Sequence, residues 1–215
     1  MVVIDNLCLQ VKKEQILNGI NIEFEKGKIH GLVGRNGSGK TMLMKCICGF
    51  VKPTKGTVTV QGKVIGRDRD FPESLGLIIE TPGFIPYYSG YRNLKILGEA
   101  NGKLEKKDIL NVMEYVGIEK AAHRRVGKYS LGMRQRLGIA QAIMESPELL
   151  VLDEPFNGLD KAGVEDVRKI LLSLKEQGKT IIMASHNSED IRLLCDTVHE
   201  MERGEIVRKM SPHSE

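Results

Sequence analysis

The sequence predicts an α/β fold, in which helices cover both faces of a mostly parallel sheet and an antiparallel β portion lies near the N-terminus. Two patterns predict it. Apolar segments typical of buried strands, such as KIHGLVG, ELLVLDEP and TIIMAS, are separated by helical patterns. Residues 90–145, in contrast, contain only helical patterns, which indicates a helical subdomain inserted between two strands.

The first elements are mainly β. The opening segment and INIEF are typical of strands, and KIHGLVG predicts a buried strand that leads into a glycine-rich loop. TMLMKCICG predicts a helix that ends at Gly49, and GTVTVQGKVI a hairpin that turns at Gln61 and Gly62. LIIETPGF predicts a buried strand that ends on an acid, Glu80.

Helices and strands alternate after that point. The insert contains the helical patterns NLKILGEA, KKDILNVMEYVG and SLGMRQRLGIAQAIME. An amphipathic helix is expected from about Lys161 to Gln177, capped by Gly178 and followed by the strand TIIMAS. NSEDIRLLCD predicts a polar-capped helix, and VHEMERGEIV a hairpin that turns near Gly204.

The composition fits one domain. The 215 residues are 41% hydrophobic and 28% charged, enough to bury a core. We expect a core at residues 1–83 and 147–215, with the helical subdomain at 84–146. The formal net charge of +4 is too small to indicate a nucleic-acid partner.

The sequence indicates a cytoplasmic protein. MVVIDNLCLQ lacks the features of a signal peptide. No apolar segment is as long as the roughly 18 residues that a membrane-spanning helix needs. The four cysteines form no CxxC pair, so reduced thiols are expected rather than disulfides or metal ligands. If the protein acts at the inner face of the cell membrane, another chain must supply the membrane-spanning part.

The strongest chemical signal is GRNGSGKT, between a predicted strand and a predicted helix. It matches the P-loop pattern, in which glycines and a helix N-terminus expose backbone N–H groups to phosphate. Lys40 would reach the β- and γ-phosphates, and the Thr41 hydroxyl would bind Mg²⁺. The predicted ATP-binding residues of this loop are Gly34, Arg35, Asn36, Gly37, Ser38, Gly39, Lys40 and Thr41.

Two further elements carry candidate chemistry. In LLVLDEP, Asp153 ends an apolar strand and can hold Mg²⁺, and Glu154 can polarise a water that attacks the γ-phosphate. In YSLGMRQR, Ser130 is a predicted N-cap with Gly132 in the first helical turn, which makes a second possible phosphate site. On spacing alone, a plain capped helix explains YSLGMRQR as well.

Six motifs in order resemble the ATP-binding subunits of ABC transporters over nearly the whole chain. They are GRNGSGKT, IIETPGF, YSLGMRQR, LLVLDEP, NGLD and SH, in the places of the P-loop, glutamine loop, signature, acidic strand, D-loop and switch histidine. The resemblance implies a head-to-tail dimer around two ATP molecules with Mg²⁺, each ATP lying between one P-loop and the other subunit's signature. It implies that Glu154 is the catalytic base and that His186 contacts the γ-phosphate. The implied trans and D-loop residues are Ser130, Leu131, Gly132, Met133 and Asp160.

The chain departs from the family pattern in its signature and its adenine site. Leu131 and Met133 replace a glycine and a glutamine, but Ser130 and Gly132 are retained, so binding in trans should survive. Val11 stands where an aromatic side chain usually stacks on adenine. The absence of an aromatic ring at this position predicts weaker adenine binding and poorer discrimination between ATP and GTP.

Glu80 is the third departure, because it stands where the family has a glutamine. A carboxylate is a better Mg²⁺ ligand than an amide but only accepts hydrogen bonds. We therefore predict that Glu80 is a metal ligand and a Mg²⁺-dependent sensor in catalysis. The alternative is a surface acid that happens to follow a strand.

The variants IETPGF and YSLGMRQR resemble the bacitracin- and lantibiotic-type exporters, in which the ATPase pairs with a separate permease. The resemblance therefore implies two partners, a second ATPase subunit and an integral membrane permease. Four aromatic residues could form the docking surface for the permease or could pack the subdomain onto the core. They are Phe84, Tyr87, Tyr88 and Tyr91.

Two other functions remain as alternatives. A soluble ABC-type ATPase of ribosomes or nucleic acid usually has two ATPase units, a long coiled coil or basic extensions, and none is visible here. A P-loop kinase or GTPase would leave the signature and SH without a role, and the chain has no NKxD guanine motif.

Overall fold

Two sheets and six helices make up the fold in a computed structural model, which describes residues 1–100 and 104–212. Residues 101–103 of the predicted subdomain and 213–215 of the predicted core lie outside the described residues. In chain order the elements are β1 (Val2–Val11), β2 (Glu14–Phe24), β3 (Ile29–Val33), α1 (Lys40–Ile47), β4 (Lys55–Val60), β5 (Lys63–Val64), β6 (Leu75–Ile78), α2 (Gly90–Ala100), α3 (Lys106–Tyr115), α4 (Leu131–Ile143), β7 (Leu149–Asp153), α5 (Lys161–Glu176), β8 (Thr180–Ala184), α6 (Ser188–Leu194), β9 (Thr197–Glu202) and β10 (Glu205–Met210).

The larger sheet has the order β10-β9-β3-β8-β7-β6. All its pairs are parallel except β9 with β10. The smaller sheet has the order β2-β1-β4-β5, and its pairs are antiparallel. These pairings confirm the predicted combination of a mostly parallel sheet with an N-terminal antiparallel β portion.

The central strands are apolar throughout because both of their faces are covered. On β7, Leu150 and Leu152 face a core shared with α2 to α6, whereas Leu149 and Val151 face a core shared with α1 and the smaller sheet. Successive strand residues point to opposite faces, so a strand buried on both sides has no polar alternation. The helices α2, α3 and α4 all lie between β6 and β7 in the chain, as the sequence predicts.

Both predicted hairpins are confirmed. Gln61 and Gly62 turn with φ of 51° and 77°, and Arg203 and Gly204 with φ of 48° and 82°. Positive φ at both central residues matches the twist of the flanking strands. Gly49, with φ of 84°, follows the end of α1 as expected.

The predicted end of the LIIETPGF strand is wrong. Strand β6 ends at Ile78, and Glu80 lies two residues further on with a φ of 61°. A left-handed backbone conformation cannot continue a strand, so Glu80 belongs to the loop. Among the described residues, no helix is both long enough and apolar enough to cross a membrane.

Candidate functional site

The loops after β3, β6, β7 and β8 meet at one edge of the larger sheet, because the carboxyl ends of parallel strands lie together. A cleft of about 570 Å³ opens there. It is lined by Glu14, Ile16, Asn36, Gly37, Ser38, Gly39, Lys40, Thr41, Met42, Glu80, Thr81, Pro82, Leu131, Gln135, Asp153, Glu154 and Asn157.

The loop between β3 and α1 forms a concave surface of backbone groups. Gly37 and Gly39 have φ of 80° and 104°, and a Cβ at Gly39 would lie only 2.8 Å from Leu17 Cδ2. The loop therefore needs glycine at position 39. Because α1 starts at Lys40, its first N–H groups have no partner within the helix and are available to an anion.

Two observations show that this loop fits a phosphate chain. The Lys40 Nζ donates to the carbonyl oxygens of Gly34 and Arg35, at 2.7 and 3.2 Å, so the ammonium lies over the loop. The Ser38 hydroxyl is buried and has no hydrogen-bond partner among the described residues. A buried hydroxyl without a partner is costly, and a phosphate oxygen would satisfy it.

Thr41 and Asp153 bring two oxygen atoms together beside the loop. The Thr41 Oγ1 donates to Asp153 Oδ2 over 2.7 Å, which joins α1 to the end of β7. Hydroxyl and carboxylate oxygens are ligands that Mg²⁺ accepts, and Mg²⁺ commonly bridges a P-loop hydroxyl, a strand-end aspartate and nucleotide phosphates. These residues therefore fit a nucleotide with its Mg²⁺.

Glu154 faces the cleft from the tip of β7 and is held by two contacts. Its backbone N–H donates to the carbonyl oxygen of Ala184 on β8 over 3.0 Å. Its Oε2 lies 2.8 Å from His186 Nδ1. The Glu154 side chain is 31% exposed and that of His186 is 79% exposed, so both can reach a bound molecule. A carboxylate in this position can accept a proton from a water in the cleft.

Glu80 lines the same cleft, but its carboxylate is paired with a lysine. Its Oε1 accepts a hydrogen bond from Lys45 Nζ on α1 over 2.6 Å. The prediction that Glu80 binds Mg²⁺ stays a prediction.

The predicted signature residues lie at the start of α4. The Ser130 Oγ accepts from the backbone N–H of Met133 over 3.2 Å, which makes Ser130 the N-cap. Leu131 is 59% exposed and packs against Gly158. The Met133 side chain instead packs against the core that the larger sheet shares with α2 to α6. Among the described residues, no hydrogen bond joins this segment to the loop before α1.

Asp160 and Val11 are the two remaining residues of the predicted site. Asp160 caps α5, since its Oδ1 accepts from the Gly163 N–H over 2.8 Å. Val11 is 43% exposed at the end of β1, beside a groove with Ile16 and Met42. Ile16 and Met42 line both this groove and the cleft, so the groove adjoins the cleft.

A family model described as ABC transporter matches residues 17–157. The chain belongs to the ABC transporter family. It is an ATPase domain of that family, as its P-loop, acidic strand end and histidine indicate. The predicted class of enzyme is therefore confirmed.

Relatives of this ABC ATPase cover nearly its full length. It is 47% identical over 206 residues to the ABC transporter ATP-binding protein YybJ of Bacillus subtilis (strain 168), covering 96% of this chain and 94% of that protein. It is 42% identical to the bacitracin transport ATP-binding protein BcrA of Enterococcus faecalis, covering 96% of this chain and 68% of BcrA. It is 39% identical to the lantibiotic transport ATP-binding protein SrtF of Streptococcus pyogenes, with 96% and 89% covered.

Solved structures share the fold of this ABC ATPase. The dimeric ATP-binding cassette MJ0796, in a post-hydrolysis state bound to ADP and Pi, has a TM-score of 0.91 at 22% identity, with both chains covered in full. CbiO1 of Clostridium perfringens, part of the ABC transporter complex cbiONQ, has a TM-score of 0.85 at 29% identity, with 98% of this chain and 88% of CbiO1 covered. The predicted fold class is therefore confirmed.

The ABC ATPase has two cleft-associated residues that sequence reasoning missed. Gln135 is buried on α4, and its Nε2 donates to the backbone carbonyls of Glu154 and Pro155 at 3.3 and 2.9 Å. It thereby ties the signature helix to the acidic loop. The other is Lys45, the partner of Glu80. An amide on an otherwise apolar helix face was the available signal for Gln135; Lys45 gave none.

Proposed function

We propose that two copies of this ABC ATPase close around two ATP molecules and drive a separate membrane permease that exports a peptide antibiotic or another drug. One observation carries the proposal. The phosphate loop, Asp153 and Glu154 line one cleft, and His186 contacts Glu154 beside it. Leu131 also lines this cleft, but within the described residues no hydrogen bond joins the capped start of α4 to the phosphate loop. A second copy would supply the missing half.

The proposed roles follow from where each group lies in the cleft or, for His186, beside it. Lys40 and the N–H groups at the start of α1 bind the phosphates, and Thr41 and Asp153 hold Mg²⁺. Bound Mg²⁺ would neutralise charge on the phosphates. Glu154 accepts the proton of the attacking water, and His186 contacts the γ-phosphate.

A groove beside the subdomain supports a permease partner. It has a volume of about 260 Å³ and runs along the loop after β6 and one side of α2. Its lining includes Phe84, Ile85, Ile96 and Leu97, and the last three of these are exposed. Apolar side chains grouped in a groove suit a partner's apolar segment.

The loop that lines this groove also contacts the signature helix, which suits a role in passing on motion. Pro82 packs so closely on α4 that a Cβ at Gly138 would lie 2.8 Å from its Cγ. Three of the four predicted aromatic residues, two in the loop and Tyr91 on α2, differ in their surroundings. Phe84 and Tyr91 pack against the core, whereas Tyr87 is 71% exposed and free to meet a partner.

The cargo proposal draws on the relatives. BcrA and SrtF are a bacitracin and a lantibiotic transport protein, and both align with 96% of this chain. We place the protein in the cytoplasm, at the inner face of the cell membrane.

A change in drug sensitivity tests the proposed cargo. Replacing the native copy with Glu154→Gln should raise sensitivity to bacitracin or to a lantibiotic several-fold. Unchanged sensitivity to both, with the variant expressed normally, would contradict the cargo.

Co-purification tests the proposed partner. The tagged chain is recovered from gently solubilised native membranes, and its companions are identified. We expect a polytopic membrane protein in near-equal amount. Recovery only with ribosomes or nucleic acid would overturn the transporter role and favour the soluble alternative, while the ATPase assignment would stand.

A further inference from the structure

The ion pair between Lys45 and Glu80 lies at the wall of the phosphate cleft. Lys45 is on α1, four residues after Thr41, so both side chains lie on the same side of the helix. The Lys45 side chain is 26% exposed and that of Glu80 is 65% exposed, and Nζ and Oε1 are 2.6 Å apart. Glu80 lines the cleft, whereas Lys45 stands outside its lining.

The charges that line the cleft explain why this pair matters. Glu14, Glu80, Asp153 and Glu154 all line it, but Lys40 is its single lysine or arginine within the described part of the chain. A nucleotide brings further negative charge into the same space. An acid near phosphates weakens their binding unless a cation offsets it.

We propose that Lys45 sets the metal dependence of nucleotide binding by offsetting the charge of Glu80. This inference rests on the proposed phosphate site. With Lys45 present, the carboxylate of Glu80 is neutralised from outside the cleft, and phosphates enter it with or without Mg²⁺. Without Lys45, Glu80 repels metal-free nucleotide and is available to the cation of a metal-bound one. Lys45 is thus a positioning residue that acts through Glu80.

An ordinary surface ion pair would have a different effect. Exposed pairs contribute little to stability. A pair that does not affect the charge in the cleft would leave the metal dependence of nucleotide binding unchanged. The backbone of Glu80 argues for a specific placement, because a φ of 61° is uncommon for glutamate. It follows the end of β6 and leads to Thr81 and Pro82, which line the cleft with it.

The test compares ADP binding in EDTA with ADP binding in Mg²⁺, so that no hydrolysis is involved. The dissociation constants are measured by calorimetry for the wild type, Lys45→Met, Glu80→Gln and the double variant. We expect Lys45→Met to weaken metal-free binding about tenfold and to leave Mg²⁺-ADP binding unchanged or tighter. In the Glu80→Gln background, Lys45→Met should change the ratio of the two constants little, because its effect passes through Glu80.

Two control variants accompany this double-mutant cycle of Lys45→Met and Glu80→Gln. Lys28→Met breaks an ion pair of the same 2.6 Å length with Glu25, which lies outside the cleft lining, and should leave the ratio unchanged. Lys45→Arg keeps the cation and should behave as the wild type. Thermal melting of each variant shows that it is folded.

The outcomes separate the inference from the proposed function. If the ratio of the ADP dissociation constants in EDTA and in Mg²⁺ is the same for wild type and Lys45→Met, the inference is overturned and the pair is an ordinary surface ion pair. An equally large effect of Lys45→Met with and without Glu80 would also overturn it. Failure of the folded wild type to bind ADP under either condition would instead contradict the proposed phosphate site.

Discussion

The cleft and the start of α4 differ in how their polar groups are satisfied. In the cleft, side chains from different elements pair with one another, as Thr41 does with Asp153 and Glu154 with His186, while the Ser38 hydroxyl has no partner among the described residues. At the start of α4, Ser130 only caps its own helix, and Leu131 exposes 59% of its surface beside it. The first region is a preformed site, whereas the second is the surface that we propose meets the ATP of a second copy.

The difference follows from the elements that build each region. The cleft draws on the ends of three strands in one hydrogen-bonded sheet, β3, β6 and β7, so the chain itself fixes much of its geometry. The start of α4, like that of α1, is a helix N-terminus whose first N–H groups lack partners within the helix. An anion brought by another subunit would satisfy them.

Glu154→Gln should have the largest effect, because it removes the proposed base and keeps the size of the side chain. We expect ATP hydrolysis to fall about a thousandfold. ATP affinity should stay within about threefold, since Lys40 and the loop amides are unchanged. Phosphate release and calorimetry measure the two quantities. Hydrolysis within about tenfold of the wild-type rate would show that Glu154 is not the base.

Ser130→Asp separates helix capping from phosphate binding in the second region. Aspartate caps helices as well as serine, so the free energy of unfolding should change by less than about 0.5 kcal/mol. Its charge would repel a phosphate, so hydrolysis should fall about a hundredfold. Ser130→Ala is the matched control, since it loses the cap at a cost of about 1 kcal/mol without adding charge. ATP hydrolysis at the wild-type rate by Ser130→Asp would show that Ser130 does not contact a phosphate of ATP.

Gly158→Ala tests the contact that joins the two regions. Gly158 has a φ of 76°, and a Cβ there would collide with the Leu131 side chain. We expect a loss of about 2–3 kcal/mol in unfolding free energy, part of it from the backbone conformation. Urea unfolding of the single and double variants measures this loss. If Leu131→Gly in the same chain relieves none of it, Leu131 does not hold the signature against this loop.

Val11→Tyr should have the smallest effect, at the edge of the cleft. A tyrosine could stack on adenine and tighten ATP binding by up to about tenfold. Titrations with ATP and GTP measure the change for each base. Unchanged affinity for both nucleotides would show that the groove beside Val11 does not receive the base.

The sequence predicts local elements well and misses contacts made over a distance. GRNGSGKT, both hairpins and the acid at the end of β7 follow from short patterns, so each could be read directly. The predicted end of β6 is wrong, because no glycine in the sequence marks the left-handed backbone at Glu80. Lys45 and Gln135 contact residues 35 and 19 or 20 positions away, so only the fold reveals their partners.

The central claim is that the cleft binds ATP within one chain and the start of α4 acts on the ATP of another. Light scattering on Glu154→Gln and on Glu154→Gln with Ser130→Asp, each saturated with ATP and Mg²⁺, tests it most directly. We predict that the first doubles its mass from 24.0 kDa. The second should bind ATP equally well and stay at 24.0 kDa. A monomeric Glu154→Gln with ATP bound, or a dimer that forms equally well with Ser130→Asp, would contradict the account.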